Sequence, residues 1–309
     1  MSKKLKSFLI ILFSGMLIAG VGVLSFRIYY MFKDSSGMKN TKEIREDVEE
    51  DYSNIDESNL LKTESTEVDT GSVEKESESG IECLYSDFSD DAVELCNLLI
   101  DRLKEEYGND DVIGYMVLDG YDVEYPIMQG ETNDDYIKSS PYGGYDYNGS
   151  IFLDSGNHED FVDSRNIVYG HNMRNGSMFG NLRNFYEESV EGKTFTIYSK
   201  RGILVYDILE CGTINAYGDN YYINPGKDIE KEYLERGYTP EESYKFSLTD
   251  AGIMNFYSII EDCAITWNKN VKYNEDSNIT TLMTCYGGAG GSCRFTVVGV
   301  LRVEEESIS

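Results

Sequence analysis

Residues 281–302 read TLMTCYGGAGGSCRFTVVGVLR. A short run of β-prone residues ends at Cys285, a glycine-rich loop follows, and Arg294 opens a second apolar run. Two such runs joined by a glycine loop are typical of a β-hairpin. The stretch therefore predicts a hairpin that displays a thiol beside a guanidinium, and the rest of the chain is interpreted around it.

A histidine follows another β-prone run, residues 166–169, and it is one of only two in the chain. A thiol, an imidazole and a guanidinium are the components of a cysteine acyl-transfer site. His171 and Cys285 are 285 − 171 = 114 residues apart, so only a fold that sets their strands side by side brings them together. Taken alone, each residue has a structural explanation, because an isolated cysteine is most often buried in a core.

Composition limits the classes of function. The 309-residue chain has a formal net charge of −29, which argues against a nucleic-acid partner because little in it would neutralise phosphates. Its six cysteines include no C-x-x-C pair, and with two histidines a zinc site is hard to assemble. A disulfide framework is compatible with the even number of cysteines, but a chain this long does not need one. The sequence predicts no metal and no cofactor.

The N-terminus predicts the compartment. Residues 7–26 contain no charge, which makes 26 − 7 + 1 = 20 positions, enough to span a bilayer as a helix. Lysines precede this segment, so residues 1–33 are interpreted as a cytoplasmic stub and transmembrane signal anchor with an extracytoplasmic remainder. A cleaved signal peptide is the alternative. Residues 34–88 are acidic and predict a disordered spacer, with an acidic interaction tail as the alternative.

The folded unit is predicted to span residues 89–309. Ser89 is a candidate N-cap for a helix that ends at Gly108. Ten short β-like runs follow, separated by Gly, Asn and Asp turns, with helical interruptions at residues 178–186 and 228–261. The pattern predicts a mostly all-β fold, a closed or nearly closed barrel preceded by a helix and carrying a helix-containing insertion.

At this point a family resemblance becomes specific. The TLMTC run with Arg294 downstream and the sequence Tyr-Gly-His ending at His171 resemble the sortases, membrane-anchored cysteine transpeptidases of Gram-positive cell surfaces. Further blocks resemble the class B branch in order and content: GYMVL at 114–118, YPIMQ at 125–129, NDDY at 133–136, GSIFLD at 149–154 and YGHNM at 169–173. The resemblance implies a closed eight-stranded sortase-type β-barrel. No proline precedes Pro126, so the lid motif of the pilin-polymerising branch is absent.

The resemblance implies a mechanism. Cys285 attacks the carbonyl after the threonine of a C-terminal sorting signal and forms a thioester, His171 moves protons, and Arg294 steadies the substrate and the oxyanion. The acceptor would be an amine of a peptidoglycan cross-bridge or its lipid-linked precursor, and the partners would be surface proteins that bear the signal. Three further residues are implied to line the substrate groove: Asn133, Tyr169 and Thr284.

Two departures and two alternatives accompany this interpretation. Gly287 stands where some class B members have an acidic residue, and no carboxylate partner for His171 is evident. Cys293 directly precedes Arg294, and an oxidised pair with Cys285 would block the nucleophile. The competing functions are a secreted cysteine hydrolase with water as acceptor and an inactive membrane-tethered binding module. No motif specifies the sorting-signal sequence, the acceptor amine or the client proteins. The same holds for the resting protonation state of the Cys285–His171 pair and for the oligomeric state.

Overall fold

The structure is a computed structural model that describes residues 40–50, 88–215, 235, 257, 260–274, 277–286 and 293–302. The predicted transmembrane segment, residues 7–26, lies outside these ranges. Within them, no helix combines the length and the apolar character that crossing a bilayer requires. The chain divides into two compact units, Met1–Arg45 and Glu46–Ser309.

Part of the predicted disordered spacer is ordered. Residues 40–50 are helical, which corrects the expectation of disorder for that short stretch. This stretch combines isoleucine and valine with acidic and basic residues, and such a mixture supports a helix that a purely acidic segment would not. Residues 51–87, the rest of the spacer, lie outside the description.

From residue 88 onward, the elements described over their whole length are one helix, nine strands and a short 3₁₀ helix at Gly180–Tyr186. Residues 235, 257 and 260–263 are also helical. The elements are α1 (Asp90–Tyr107), β1 (Val112–Leu118), β2 (Val123–Met128), β3 (Ile151–Leu153), β4 (Arg165–Tyr169), β5 (Thr194–Ser199), β6 (Gly202–Asn215), β7 (Ala264–Trp267), β8 (Ile279–Tyr286) and β9 (Cys293–Leu301).

Helix α1 begins and ends where the sequence indicates. The Ser89 hydroxyl accepts a hydrogen bond from the Ala92 amide at 3.2 Å, and this satisfies one of the amides that a helix start leaves without a partner. Gly108 ends the helix with φ of 60°, a left-handed conformation that glycine adopts without strain. The predicted apolar stripe is buried against the barrel, including Leu95, Leu99 and Leu103.

The barrel is closed by eight strands, as predicted. Hydrogen-bonded neighbours run in the order β5-β1-β2-β3-β4-β8-β9-β6, and β6 pairs again with β5. The β2–β3 and β4–β8 pairs are parallel and the others are antiparallel, so the barrel is mixed. Strand β7 adds a ninth strand on the far half of β6. Closure removes exposed sheet edges, and it brings β4 beside β8 despite the long sequence between them.

A second apolar layer lies on the outside of β4, β8, β9 and β6. Strand alternation places Ile167, Met283 and Val298 on this face, where they pack with Tyr257 and Ile260. The last two belong to the region predicted to carry the insertion helices, most of which, from 216 to 259, lies outside the described residues apart from 235 and 257. This face is the one on which the candidate site residues of β4 and β9 are found.

Glu210 is a fully buried carboxyl in the middle of β6. Neither of its oxygens has a hydrogen-bond partner among the described residues. Burial raises its pKa well above the ordinary value, and the neighbouring Thr296 hydroxyl acts in the opposite direction. The folded protein therefore holds this group protonated at pH values where the unfolded chain ionises it.

We expect Glu210→Gln to stabilise the protein increasingly as pH rises. Above the unfolded value of 4.5, the native carboxyl keeps a proton that the unfolded one releases, so native stability falls by about 1.4 kcal/mol per pH unit until the folded pKa is reached. The glutamine variant lacks this loss. Urea unfolding at pH 5, 6.5 and 8 measures the difference, and equal pH dependence of the two proteins would contradict the expectation.

Candidate active site

Strands β8 and β9 form the predicted hairpin. Their antiparallel register pairs Cys285 with Arg294 and Tyr286 with Cys293. Directly opposite residues of an antiparallel pair share one face of the sheet, and their neighbours share the other. The backbone positions of the proposed nucleophile and the proposed guanidinium are therefore cross-strand partners, as the sequence predicts.

The parallel pair β4–β8 brings the histidine segment to the same place. Its register runs from Arg165 opposite Ile279 to Tyr169 opposite Met283, a constant offset of 283 − 169 = 114 residues. Beyond the last pair, the Gly170 amide still donates to the Met283 carbonyl at 3.1 Å. Because 285 − 171 is also 114, extending the register by two residues past the last observed pair would set the backbone of His171 alongside Cys285. The separation in sequence equals the offset of the ladder.

His171 is held at both its ring and its main chain. Its ring Nε2–H donates to the Ile137 carbonyl at 2.6 Å. Its own carbonyl accepts hydrogen bonds from the Met173 amide at 3.1 Å and the Phe179 amide at 3.0 Å. Since a carbonyl only accepts, the bond to Ile137 requires the proton on Nε2 and leaves Nδ1 as the basic nitrogen of the neutral ring. The acceptor is a backbone carbonyl and not a carboxylate, in line with the absence of an acidic candidate in the sequence.

The turn before His171 is tightly packed. A Cβ added at Gly170 would lie 2.4 Å from the Ile151 Cδ1 atom and 2.7 Å from the Phe179 ring. Only glycine fits at that distance. The close approach fixes the direction in which the chain leaves β4, and thus the position of His171.

Arg294 is half-buried at the start of β9, and its Nη1 donates to the Cys293 carbonyl at 3.2 Å. The next residue, Phe295, is buried and stacks on Tyr186 of the 3₁₀ helix, with ring centroids 5.5 Å apart. This stacking anchors the strand on the face opposite Arg294.

Cys293 is a thiol whose cross-strand partner is Tyr286 rather than Cys285. The hairpin register therefore puts the two cysteine positions on opposite faces of the pair. The oxidised Cys285–Cys293 pair considered from the sequence stays a hypothesis, which a thiol titration with and without reductant would test.

Two of the three predicted groove residues meet at a buried carboxylate. The Asn133 Nδ2 group donates to Asp154 Oδ2 at 3.0 Å, and the Tyr169 hydroxyl donates to the same oxygen at 2.9 Å. The other oxygen accepts from the Gly156 amide at 2.8 Å. Asp154 is thus the common acceptor that joins the loop after β2 to the end of β4. The sequence placed Asp154 in a family-like block but gave it no role.

Thr284 is placed differently from Asn133 and Tyr169. Its side chain is buried, and its hydroxyl has no hydrogen-bond partner among the described residues. It precedes Cys285 on β8 and so occupies the opposite face from the residue that follows it. Its role in lining a groove stays a prediction.

The polar residues around the second histidine, His158, indicate an exposed surface position, but the structure buries most of its side chain. The His158 Nδ1 atom lies 2.7 Å from Asp163 Oδ1, and the two side chains are 19% and 1% exposed. The spacing of five residues between them could have indicated this contact. The pair lies in the turn after β3.

Comparisons with known proteins agree with this fold. The chain is 30% identical over 179 residues to sortase B of Listeria monocytogenes, covering 57% of this chain and 63% of that protein. It is 27% identical over 183 residues to sortase B of Staphylococcus aureus, covering 57% of this chain and 64% of that protein. The chain therefore matches slightly less than two thirds of the length of these relatives. No protein-family model matches.

Solved structures share the barrel. Clostridium perfringens sortase B superposes with a TM-score of 0.51 at 25% identity, covering 65% of this chain and 98% of that one. Staphylococcus aureus sortase B complexed with MTSET superposes with a TM-score of 0.52 at 21% identity, covering 67% of this chain and 79% of that one. The first likeness extends to sequence and fold, and the second to the fold.

Proposed function

We propose that this chain, which is similar to class B sortases in sequence and fold, is a cysteine transpeptidase. It would cleave a C-terminal sorting signal of surface proteins after a threonine and transfer the acyl group to a peptidoglycan amine. The observation that carries the proposal is the pair of strand registers on either side of β8. In one, Cys285 lies opposite Arg294 on β9. In the other, the residue-number offset between β4 and β8 equals the sequence separation of His171 and Cys285.

In the first half-reaction, the Cys285 thiol gives its proton to Nδ1 of His171, and the resulting thiolate adds to the threonine carbonyl carbon. The electron pair of the C=O bond moves to oxygen, and the Arg294 guanidinium stabilises that oxyanion. Collapse expels the amine, which takes a proton from His171 as it leaves. The free Nδ1 position supports this role, because Nε2–H is committed to the Ile137 carbonyl. The product is a thioester on Cys285.

In the second half-reaction, an amine from a peptidoglycan cross-bridge or its lipid-linked precursor attacks the thioester. His171 takes the proton of the incoming amine, the C–S bond breaks, and the thiolate returns. Atoms balance without a cofactor or an external oxidant. The surface protein ends with a new amide bond to the wall.

The proposal includes the setting of the reaction. Residues 7–26 would anchor the chain in the cell membrane with the N-terminus cytoplasmic, and the catalytic unit would work outside the membrane. Asn133 and Tyr169, joined through Asp154, would line the groove for the sorting signal, and Thr284 would support its floor from the buried side.

The partition of products tests the function. The full-length protein is incubated with a peptide that carries a sorting signal, with and without an added amine, and hydrolysis and aminolysis products are quantified. We expect the amine to divert most of the acyl group into a new amide. Exclusive release of the free acid at saturating amine would instead identify a cysteine hydrolase, and capture of the peptide without cleavage would identify a binding module.

We expect Arg294→Ala to lower kcat by about 10² while Cys285 still reacts with iodoacetamide, since the loss of one oxyanion donor acts on the transition state. Arg302→Ala is the matched control. Arg302 lies just beyond the same strand and pairs with Asp207 at 2.6 Å, away from the hairpin end. Equal loss of turnover in both variants would mean that Arg294 acts through stability alone.

A further inference from the structure

The loop that contacts His171 is long and lacks regular structure. Residues 129–150, which connect β2 to β3, make 150 − 129 + 1 = 22 positions. One isolated bridge, between Ser139 and Tyr145, lies within it. Loops of this length are usually either functional or disordered, so an ordered one needs contacts that hold its backbone. The contacts that fix this loop therefore determine where the Ile137 carbonyl stands.

Tyr136 is the main anchor of the loop. Its side chain is 5% exposed, and its hydroxyl donates to Asp111 Oδ2 at 2.6 Å. The same hydroxyl accepts from Asn109 Nδ2 at 3.0 Å. Asn109 Nδ2 also donates to the Pro141 carbonyl at 2.8 Å, which ties a second point of the loop to the same side chain.

The two partners of Tyr136 belong to the rigid frame. Asn109 follows the glycine that ends α1, and Asp111 directly precedes β1. The Asn109 Oδ1 atom accepts from the Asp111 amide at 3.0 Å, and the Asp111 carbonyl accepts from the Gln129 amide at 2.9 Å. The phenol is thus hydrogen-bonded to the connection between α1 and β1.

Tyr136 directly precedes Ile137, the residue whose carbonyl contacts the His171 ring. The Tyr136 carbonyl accepts from the Ser150 amide at 3.0 Å, and the next carbonyl, that of Ile137, accepts the His171 Nε2–H at 2.6 Å. A Cβ added at Gly149 would lie 2.4 Å from the Ile137 oxygen. Little room is left for this peptide to rotate while both Tyr136 bonds are made.

We propose that Tyr136, held by Asn109 and Asp111, is a positioning residue for His171. It fixes the Ile137 carbonyl, and that carbonyl holds the proton on Nε2 and leaves Nδ1 to exchange protons at the reaction centre. The assignment of Nδ1 to proton exchange rests on the proposed transpeptidase function. The coupling of the Tyr136 hydroxyl to the tautomer of His171 does not.

The phenol remains a donor throughout the relevant pH range. Burial and the hydrogen bond to the Asp111 carboxylate raise the pKa of Tyr136 to about 12. The hydroxyl proton therefore stays between Tyr136 and Asp111 under neutral and mildly alkaline conditions. A variant that lacks the hydroxyl tests the anchor without altering a titration near pH 7.

The test is Tyr136→Phe in the full-length protein with ¹⁵N-labelled histidine. Only two histidines are present, so the imidazole spectrum is assigned with one variant of each. We expect the Nε2-protonated tautomer of His171 to dominate in the parent protein and to mix with the Nδ1-protonated form in the variant. His158, fixed by Asp163, should be unchanged. The loss of one hydrogen bond predicts about a tenfold fall in kcat with KM nearly constant.

Tyr142→Phe is the matched control. Its hydroxyl, in the same loop, donates to Glu106 Oε1 at 2.8 Å, and its ring is 47% exposed, so its removal should alter neither the tautomer nor kcat. Asp111→Ala removes the acceptor of the Tyr136 hydroxyl at an exposed residue and should shift the His171 tautomer as Tyr136→Phe does. This second variant keeps the test valid if the substitution of the buried Tyr136 impairs folding.

An unchanged His171 tautomer, with kcat within about twofold of the parent, in both Tyr136→Phe and Asp111→Ala would overturn the proposal. Failure of the proposed function would look different. A parent protein that forms no acyl-enzyme would remove the transpeptidase assignment, while the tautomer shift in the variants would still establish the positioning role.

Discussion

Cys285→Ala abolishes peptide cleavage and acyl-enzyme formation and leaves the barrel folded. The expected fall in turnover is on the order of 10⁴-fold or more, because the alanine methyl group cannot act as a nucleophile in place of the thiolate. Cys285 lies at the end of β8, so replacing its side chain removes no central strand pairing. Cleavage of a sorting-signal peptide and circular dichroism of the full-length variant measure the two halves of this prediction.

Cys293→Ala is the control that the hairpin offers. This second thiol lies across from Tyr286, one residue from the Cys285–Arg294 pair, and should leave turnover within about twofold of the parent, as expected for a side chain outside the reaction. Full residual turnover in Cys285→Ala would rule out the proposed mechanism. Equal loss in both variants would mean that the hairpin, rather than the thiol, was damaged.

His171→Ala lowers turnover by between about 10² and 10⁴, the usual contribution of a positioned acid and base. His171→Gln is the sharper variant. The glutamine amide nitrogen can replace Nε2–H as donor to the Ile137 carbonyl, so the loop keeps its contact, but an amide cannot exchange protons near neutral pH. We expect His171→Gln to be nearly as damaging as His171→Ala, measured by single-turnover thioester formation.

His158→Asn is the matched control for the histidine variants. The asparagine amide can donate to Asp163 in place of the imidazole Nδ1, so the buried carboxylate keeps a partner and turnover should be unchanged. Recovery of more than about half the parent activity in His171→Gln would show that the ring acts only as a hydrogen-bond donor to the loop, since an amide supplies no general acid or base.

The parts of the fold that the sequence predicted well are those encoded locally. The hairpin of residues 279–301 follows from two β-prone runs around glycines, and helix α1 from Ser89 and Gly108, because propensity and capping act over a few residues. Two of the ten predicted β-like runs, one over residues 203–209 and one that begins at Gly212, belong to a single strand, β6. The sequence predicts a strand break at Gly212, but the strand continues through it. Glycine is needed at this position because a Cβ would lie 2.5 Å from Glu210 Oε1.

The sequence indicates the candidate reacting groups but not the contacts that hold them in place. Cys285, His171 and Arg294 carry distinctive chemistry, and two of them follow β-prone runs. The contacts of Ile137 and Asp154 join residues up to 34 positions apart, and the first acts through a backbone carbonyl that any residue would supply. No residue identity encodes such a contact, so only the folded arrangement reveals it. The hydrogen bonds of the Tyr136 hydroxyl to Asp111 and Asn109 could not be predicted from the sequence for the same reason.

The most direct measurement is the mass of the protein after brief incubation with a library of sorting-signal peptides. The account predicts a mass increase equal to the acyl fragment that ends at threonine, located on Cys285 by peptide mapping, lost on addition of hydroxylamine, and absent from Cys285→Ala. Peptide cleavage without a thioester on Cys285, or an adduct on Cys293 or another residue, would contradict it.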